Sequence, residues 1–371
     1  MVVGHFLKWV RTARVGERAA AAAALARAYI NGDLHVDDRC AADAAMTLLL
    51  DDPSARVRQA LAEALSTSRA APPQIIGALA ADQPDVAAVV LARSPLLTDG
   101  DLIERVALGH AQAQRLIADR PEVSAAVSVA IAEAGDAEAC VVLLRNSGAS
   151  IAAAGFRRMT ERFGGVASVR EALIADRRLP ADCRHILLAS LGEALGGSPL
   201  VRTVFGEARA RRVTRDACTK ASLMLIEATD ADEFPALVER MRRCGDLTAS
   251  FLVRCVAHGK IDFFGTAMVA LTGQSEHRVR ALLSGGYDGA LSALFAKAGL
   301  IARTHGAILR ALKVWREVAR GRRIAGAQEV SWLMLKELGP EDGDLAALLK
   351  SIHLDALRAN ARDHALALAA A

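Results

Sequence analysis

The chain has 371 residues, and its 46 Lys and Arg against 42 Asp and Glu leave a formal net charge of only +4, so the distribution of charge matters more than its sum. Apolar residues make up 53% of it but aromatics only 4%, a balance dominated by Ala, Leu and Val that favours closely packed helices over sheets. No uninterrupted apolar run is long enough to span a bilayer, since Ala19–Ala26 is closed off by Arg18 and Arg27.

At the N-terminus, MVVGHFLKWVRTARVGERA scatters Lys8, Arg11, Arg14 and Arg18 through any candidate secretory core. A cytoplasmic location is therefore expected. Phe6, Leu7, Trp9 and Val10 form an apolar cluster that reads as a docking cap, and residues 1–44 as an N-terminal helical cap. Next comes DDPSARVRQALAEAL, residues 51–65. Pro53 suits a first helical turn, Asp52 is placed to cap it, and Val57, Ala60, Leu61, Ala64 and Leu65 recur with the spacing of one buried face.

The same grammar returns downstream. LAADQPDVAAVVLARSPLLTD carries Asp82, Pro84 and Val86, and the landmark residues Asp52, Asp82, His110 and Asp136 follow one another at intervals of 30, 28 and 26 residues. A period in this range with two short apolar helices per unit points to a helix-pair solenoid. The Asp-x-Pro-x-x-Val-Arg-like opening of 52–58 resembles the HEAT and armadillo class of repeats. The succession DDPSARVRQALAEAL, PPQIIGALAADQPDVAAVVLARSPLLTDGDL, AQRLIADRPEVSAAVSVAI and VVLLRNSGASI is similar to a bacterial family of uncharacterised proteins with HEAT-like repeats, best over residues 45–165. The resemblance implies an all-α, HEAT/armadillo-like α-solenoid of antiparallel helix pairs, and transfers no catalytic residue. Two departures stand out: Ala87-Ala88 offer no counterpart to Arg58, and the third and fourth units lack the proline.

Beyond residue 165 turn signals stand at Gly164-Gly165, Gly196-Gly197-Ser198-Pro199, Gly245-Asp246, Gly285-Gly286 and Gly339-Pro340. GGSPL, 196–200, is the expected boundary between HEAT-like repeats over 45–197 and a more basic helical region over 198–371 that continues the solenoid. Two basic windows lie in that region. Residues 200–220 hold Arg202, Arg209, Arg211, Arg212, Arg215 and Lys220 against two acids, and residues 300–323 hold seven cations against Glu317 alone. On a helical wheel Arg303, Arg310, Lys313, Arg316, Arg320 and Arg323 share one sector opposite Ile308, Ala311, Trp315 and Val318, provided that Gly321 does not break the helix. Such a stripe suits an acidic protein surface, nucleic-acid phosphates or an anionic membrane, or is simply solvated.

Reactive constellations are missing. No Gly-x-x-x-x-Gly-Lys-Ser/Thr, Gly-x-Ser-x-Gly or His-Glu-x-x-His occurs. Cys255 and His258, with Cys244 and His277, match no recognised zinc spacing, Cys183 and His185 stand only two residues apart, and the acid pairs Asp37-Asp38, Asp51-Asp52 and Glu341-Asp342 fit helix starts. The six cysteines read as reduced and buried. No cofactor, metal or small-molecule substrate is indicated. The expected function is a non-enzymatic scaffold that binds a protein partner in a regulatory or signalling assembly, with Arg303, Arg310, Lys313, Arg316, Arg320 and Arg323 as the contact surface. The alternative is nucleic-acid binding by the same stripe, extending to a DNA glycosylase-like role for Trp315 or Trp332.

Overall fold

A computed structural model describes residues 9–10, 12–32, 35–339 and 343–370 of the chain. Phe6 and Leu7 of the N-terminal cluster, and the Glu341-Asp342 pair, lie outside them. Among the described residues there are twenty-two α-helices, a short 3-10 turn and no strand, with one isolated bridge between Val123 and Ala149. The protein is all-α. It forms two compact units, Met1–Leu179 and Pro180–Ala371.

Unit 1 holds α1 (Val15–Ile30), α2 (Val36–Leu49), α3 (Ala55–Leu65), α4 (Pro73–Ala80), α5 (Pro84–Arg93), α6 (Asp99–Ala107), α7 (Ala111–Ala118), α8 (Ala125–Ala134), α9 (Ala137–Arg145), α10 (Ala153–Phe163) and α11 (Ala167–Ala175). Every second helix packs on the next: α1 on α3, α3 on α5, α5 on α7, α7 on α9 and α9 on α11, while α6, α8 and α10 make a second row. Asp52, Asp82, His110 and Asp136 each stand at the entrance to a helix of the first row, before α3, α5, α7 and α9. Within α3 the buried residues are Val57, Leu61, Ala62 and Leu65; each fully buried leucine or valine contributes about 1.5–3 kcal/mol.

The opening motif works differently from its sequence expectation. Asp52 does not cap α3, and Pro53 lies outside the helix; the N-cap is Ser54, whose side chain makes no cap bond. The Asp52 carboxylate is taken instead by Arg18 of α1, whose Nε and Nη2 donate to it at 2.8 and 3.0 Å, and by the Ser54 amide at 2.9 Å. Arg58 repeats the fork one step on, donating to Asp82 at 2.6 and 2.9 Å and to the Asp52 carbonyl at 2.6 Å. Arg58 therefore links α3 to the loop that starts α5. The ladder stops there, because Ala87-Ala88 stand on α5 where Arg58 stands on α3.

A second device replaces it. The C-caps of α5 and α8, Ser94 and Gly135, are extended rather than helical, which turns their carbonyls outward. Arg120 donates to Leu91 and Ser94 carbonyls at 2.6 and 2.7 Å; Arg162 donates to Ala132 and Gly135 carbonyls at 2.6 and 2.9 Å. Each guanidinium thus holds the C-cap carbonyl and the carbonyl three residues before it, satisfying orphan acceptors and facing the negative end of the helix dipole.

Unit 2 holds α12 (Ala181–Gly197), α13 (Pro199–Phe205), α14 (Glu207–Glu227), α15 (Phe234–Cys244), α16 (Ala249–Ala257), α17 (Ile261–Thr272), α18 (Glu276–Gly285), α19 (Asp288–Lys297), α20 (Ala302–Ala319), α21 (Ala327–Lys336) and α22 (Gly343–Ala370). The GGSPL turn lies inside this unit, ending α12 and placing Pro199 at the first position of α13. Its core is one cluster that runs from Ala181 to Ile352 and centres on Phe263, Phe264 and Phe295. Phe263 meets Phe234 and Phe251 edge-on, and Phe264 meets Phe295, arrangements that suit ring quadrupoles. Through this core α20 packs on α16, α19 and α21.

Candidate functional site

Helix α20 carries most of the predicted stripe, and its sequence explains its two faces. His305, Ala307, Ile308, Ala311, Leu312 and Val314 are buried. Trp315 lies on the apolar side as expected: its Nε1 donates to the Val256 carbonyl at 2.7 Å, and its ring lies over Gly259, where a Cβ would approach to 3.0 Å. Gly259 also has φ of +74°, a conformation that only glycine adopts without strain.

The six cations do not form one uniform surface. Gly321, at φ +68°, does break the helix, so α20 ends at Ala319 with Arg320 as its C-cap and Arg323 beyond it. Arg323 is bound to Glu317 and Glu329. Arg310 pairs with Glu337 at 3.7 Å and Lys313 with Asp288 at 2.8 Å. Arg316 is half-buried and repeats the guanidinium device of unit 1, donating to the carbonyls of Leu282, Leu283 and Gly286 at 2.9, 2.7 and 3.3 Å. Gly286 is the extended C-cap of α18, so Arg316 clasps that helix just as Arg162 clasps α8. Burial, reinforced by the neighbouring Arg320, lowers the Arg316 pKa below the usual arginine value. Arg303 and Arg320 are exposed and make no ion pair among the described residues.

Beside Arg316 the surface opens. A hollow of about 370 Å³ lies between α17, α18 and α20. Gly265, Val269, Val279, Leu283, Leu312 and Trp315 give it an apolar floor; Asp262, Thr266, Glu276, Arg280, Ser284 and Arg316 form a polar rim. Arg280 pairs with Glu276 at 2.8 Å. Its volume sits in the lower part of the range of sites that take a small ligand or an anchoring side chain. Spacing alone does not reveal this hollow: it needs the glycine at 265, whose missing side chain leaves room beside Leu283, and the turn that brings Trp315 against α16. A second hollow, of about 480 Å³, lies in unit 1 between α5 and α7 and is lined by Asp82, Leu91, Arg105 and His110; Asp82 there is already held by Arg58.

Among the described residues no three His, Cys, Asp or Glu side chains gather where they could share a metal ion. Cys255 is fully buried, and burial drives its thiol pKa far up, so it stays protonated and inert; Cys244 is exposed. Cys40 is exposed too, and Cys218 half-buried, so burial covers only Cys140, Cys183 and Cys255. His185 is buried with its Nε2 3.6 Å from Asp246, and burial lowers its pKa. Trp332 is 46% exposed, stacked on His353 at 5.6 Å with the Lys336 ammonium over its ring.

Among the described residues the fold is all-helical, and each unit holds a hollow between its helices. Residues 86–355 match the family described as an uncharacterised protein conserved in bacteria, DUF2336, and the chain belongs to that family. The match extends across the region after residue 165, where the repeat grammar fades. No curated protein and no solved structure matches the chain.

Proposed function

We propose that the protein is a non-enzymatic helical-repeat scaffold, a HEAT-like solenoid, that holds a protein partner in the hollow between α17, α18 and α20. The observation that carries this reading is the hollow itself: an apolar floor walled by a fixed tryptophan, inside a rim of charged and hydroxyl groups. A partner's apolar side chain would fill the floor and remove it from water, at about 25 cal/mol for each Å² covered. Acidic residues flanking that anchor would meet Arg320, which has no internal counter-ion among the described residues. Arg303 would add to the same field further along α20. Alternating rows of helices support the scaffold reading too, because each helix pair exposes a long surface relative to its core.

Two variants test it. Thr266→Trp places a bulky ring at the rim of the hollow, and Arg320→Glu reverses the free charge, while neither residue is buried in the helix packing. Both should abolish recovery of an acidic partner from lysate with helical circular dichroism unchanged, and recovery should be the same with and without nuclease. A partner recovered only without nuclease, or turnover of a small molecule by the purified protein, would show the reading to be wrong.

A further inference from the structure

A hairpin of unit 2 exposes apolar side chains that helices of this length normally bury. Helices α12 and α14 run antiparallel, with Gly192 against Cys218 and Gly196 against Thr214; a Cβ at Gly192 would come within 2.3 Å of the Cys218 sulfur. One step back from Gly192, Gly196 and Thr214 lie Leu191, Leu195 and Val213. A single residue rotates about 100° around its helix, in opposite senses on two antiparallel helices, so these three fall on the same side of the pair. One step forward lie Glu193, Arg215 and Thr219, which take the other side. The joining helix α13 buries nothing, and Leu200, Val204 and Phe205 are 73%, 65% and 50% exposed.

Cations surround this apolar edge. Arg209 stacks over the Phe205 ring at 5.9 Å. Arg209 and Arg212 are exposed without an ion pair among the described residues, whereas Arg211 is neutralised by Glu207. The tip of the hairpin is therefore exposed, apolar and positively charged. The unpaired arginines beside these exposed apolar side chains call for a partner that offers an apolar layer under a dense sheet of negative charge. A lipid headgroup layer receives a protruding apolar tip and supplies negative charge for the arginines around it.

We propose that the α12–α14 hairpin seats the protein on an anionic lipid surface, with Leu200, Val204 and Phe205 entering the interface and Arg209 and Arg212 meeting the headgroups. No helix among the described residues is long and apolar enough to cross a membrane, so the hairpin lies on the surface rather than spanning it.

Flotation of the full chain with vesicles of phosphatidylcholine, alone or mixed with phosphatidylglycerol, tests this. The expected result is binding to the mixed vesicles only. Leu200→Ser, Val204→Ser and Phe205→Ser together should weaken it at least tenfold with unchanged circular dichroism, and Arg209→Gln with Arg212→Gln should weaken it roughly fivefold for each arginine removed. Equal flotation of the triple serine variant, or no flotation of the parent, overturns the proposal. So does a parent that elutes as a dimer without binding vesicles and a triple variant that elutes as a monomer, since a second copy then covers the hairpin.

Discussion

Arg316 and Arg320 stand four residues apart on one helix, yet they do different work. Arg316 donates to three carbonyls at the end of α18, so Arg316→Ala leaves those acceptors without their donor and should cost about 1–3 kcal/mol, read as a lower midpoint in urea unfolding. Arg320→Ala should leave that midpoint unchanged. The Arg58–Asp82 pair makes a second prediction. The hydrogen bonds from Arg58 hold the Asp82 carboxyl below the usual carboxylate range, outweighing burial, with the Gln83 amide and the Arg58 charge adding to the effect. A carboxylate whose pKa is lower folded than unfolded stabilises fully above its unfolded value, near 4, and loses that contribution as pH falls through the folded value. Asp82→Asn should therefore cost about 1–2 kcal/mol at pH 7, and the gap between its thermal midpoint and that of the parent should start to narrow near pH 4 and keep shrinking as pH falls through the folded value. A gap that does not narrow at all below pH 4 would place the loss elsewhere than in the ionised carboxylate.

At the scale of elements, Gly259 carries the turn between α16 and α17 and the seat of Trp315. Gly259→Ala forces a Cβ into a left-handed backbone and against the indole, and should cost about 1–3 kcal/mol, with a shift in Trp fluorescence as the ring is displaced. Helix starts were readable where proline or aspartate marks them: Pro84 opens α5, and Asp136 caps α9 through the Ala139 amide at 2.6 Å. The asymmetry at Asp52 was not readable, because the partner that redirects its carboxylate lies on α1, 34 residues away. The arginine clasps were hidden for another reason. Their acceptors are backbone carbonyls, which leave no residue type to recognise, and Arg120, Arg162 and Arg316 sit in unlike local sequences. The stripe of α20 was legible as a charged face, but which of its cations are consumed depends on Glu337, Asp288 and Glu329 from other elements.

For the whole molecule, both units carry an arginine clasp on a helix C-cap, and the core cluster of unit 2 is made of its own residues. Residues 180–371 expressed alone should keep a helical circular dichroism spectrum and unfold in one cooperative transition; a spectrum without helix would show that this core needs the preceding unit. The all-α class followed from an alanine- and leucine-rich composition poor in aromatics, and the starts of α3, α5, α7 and α9 from the landmark residues Asp52, Asp82, His110 and Asp136. The hollow that anchors the proposed function arises from helices that turns bring together, which composition does not encode. The most direct test is photo-crosslinking in cells from a benzoylphenylalanine at Ser284, on the rim of that hollow, with an equivalent probe at exposed Arg69 in unit 1 as reference. The scaffold account predicts a discrete protein adduct from Ser284 that disappears with Arg320→Glu and is absent from Arg69. Crosslinks only to nucleic acid, or the same adducts from both positions, would contradict it.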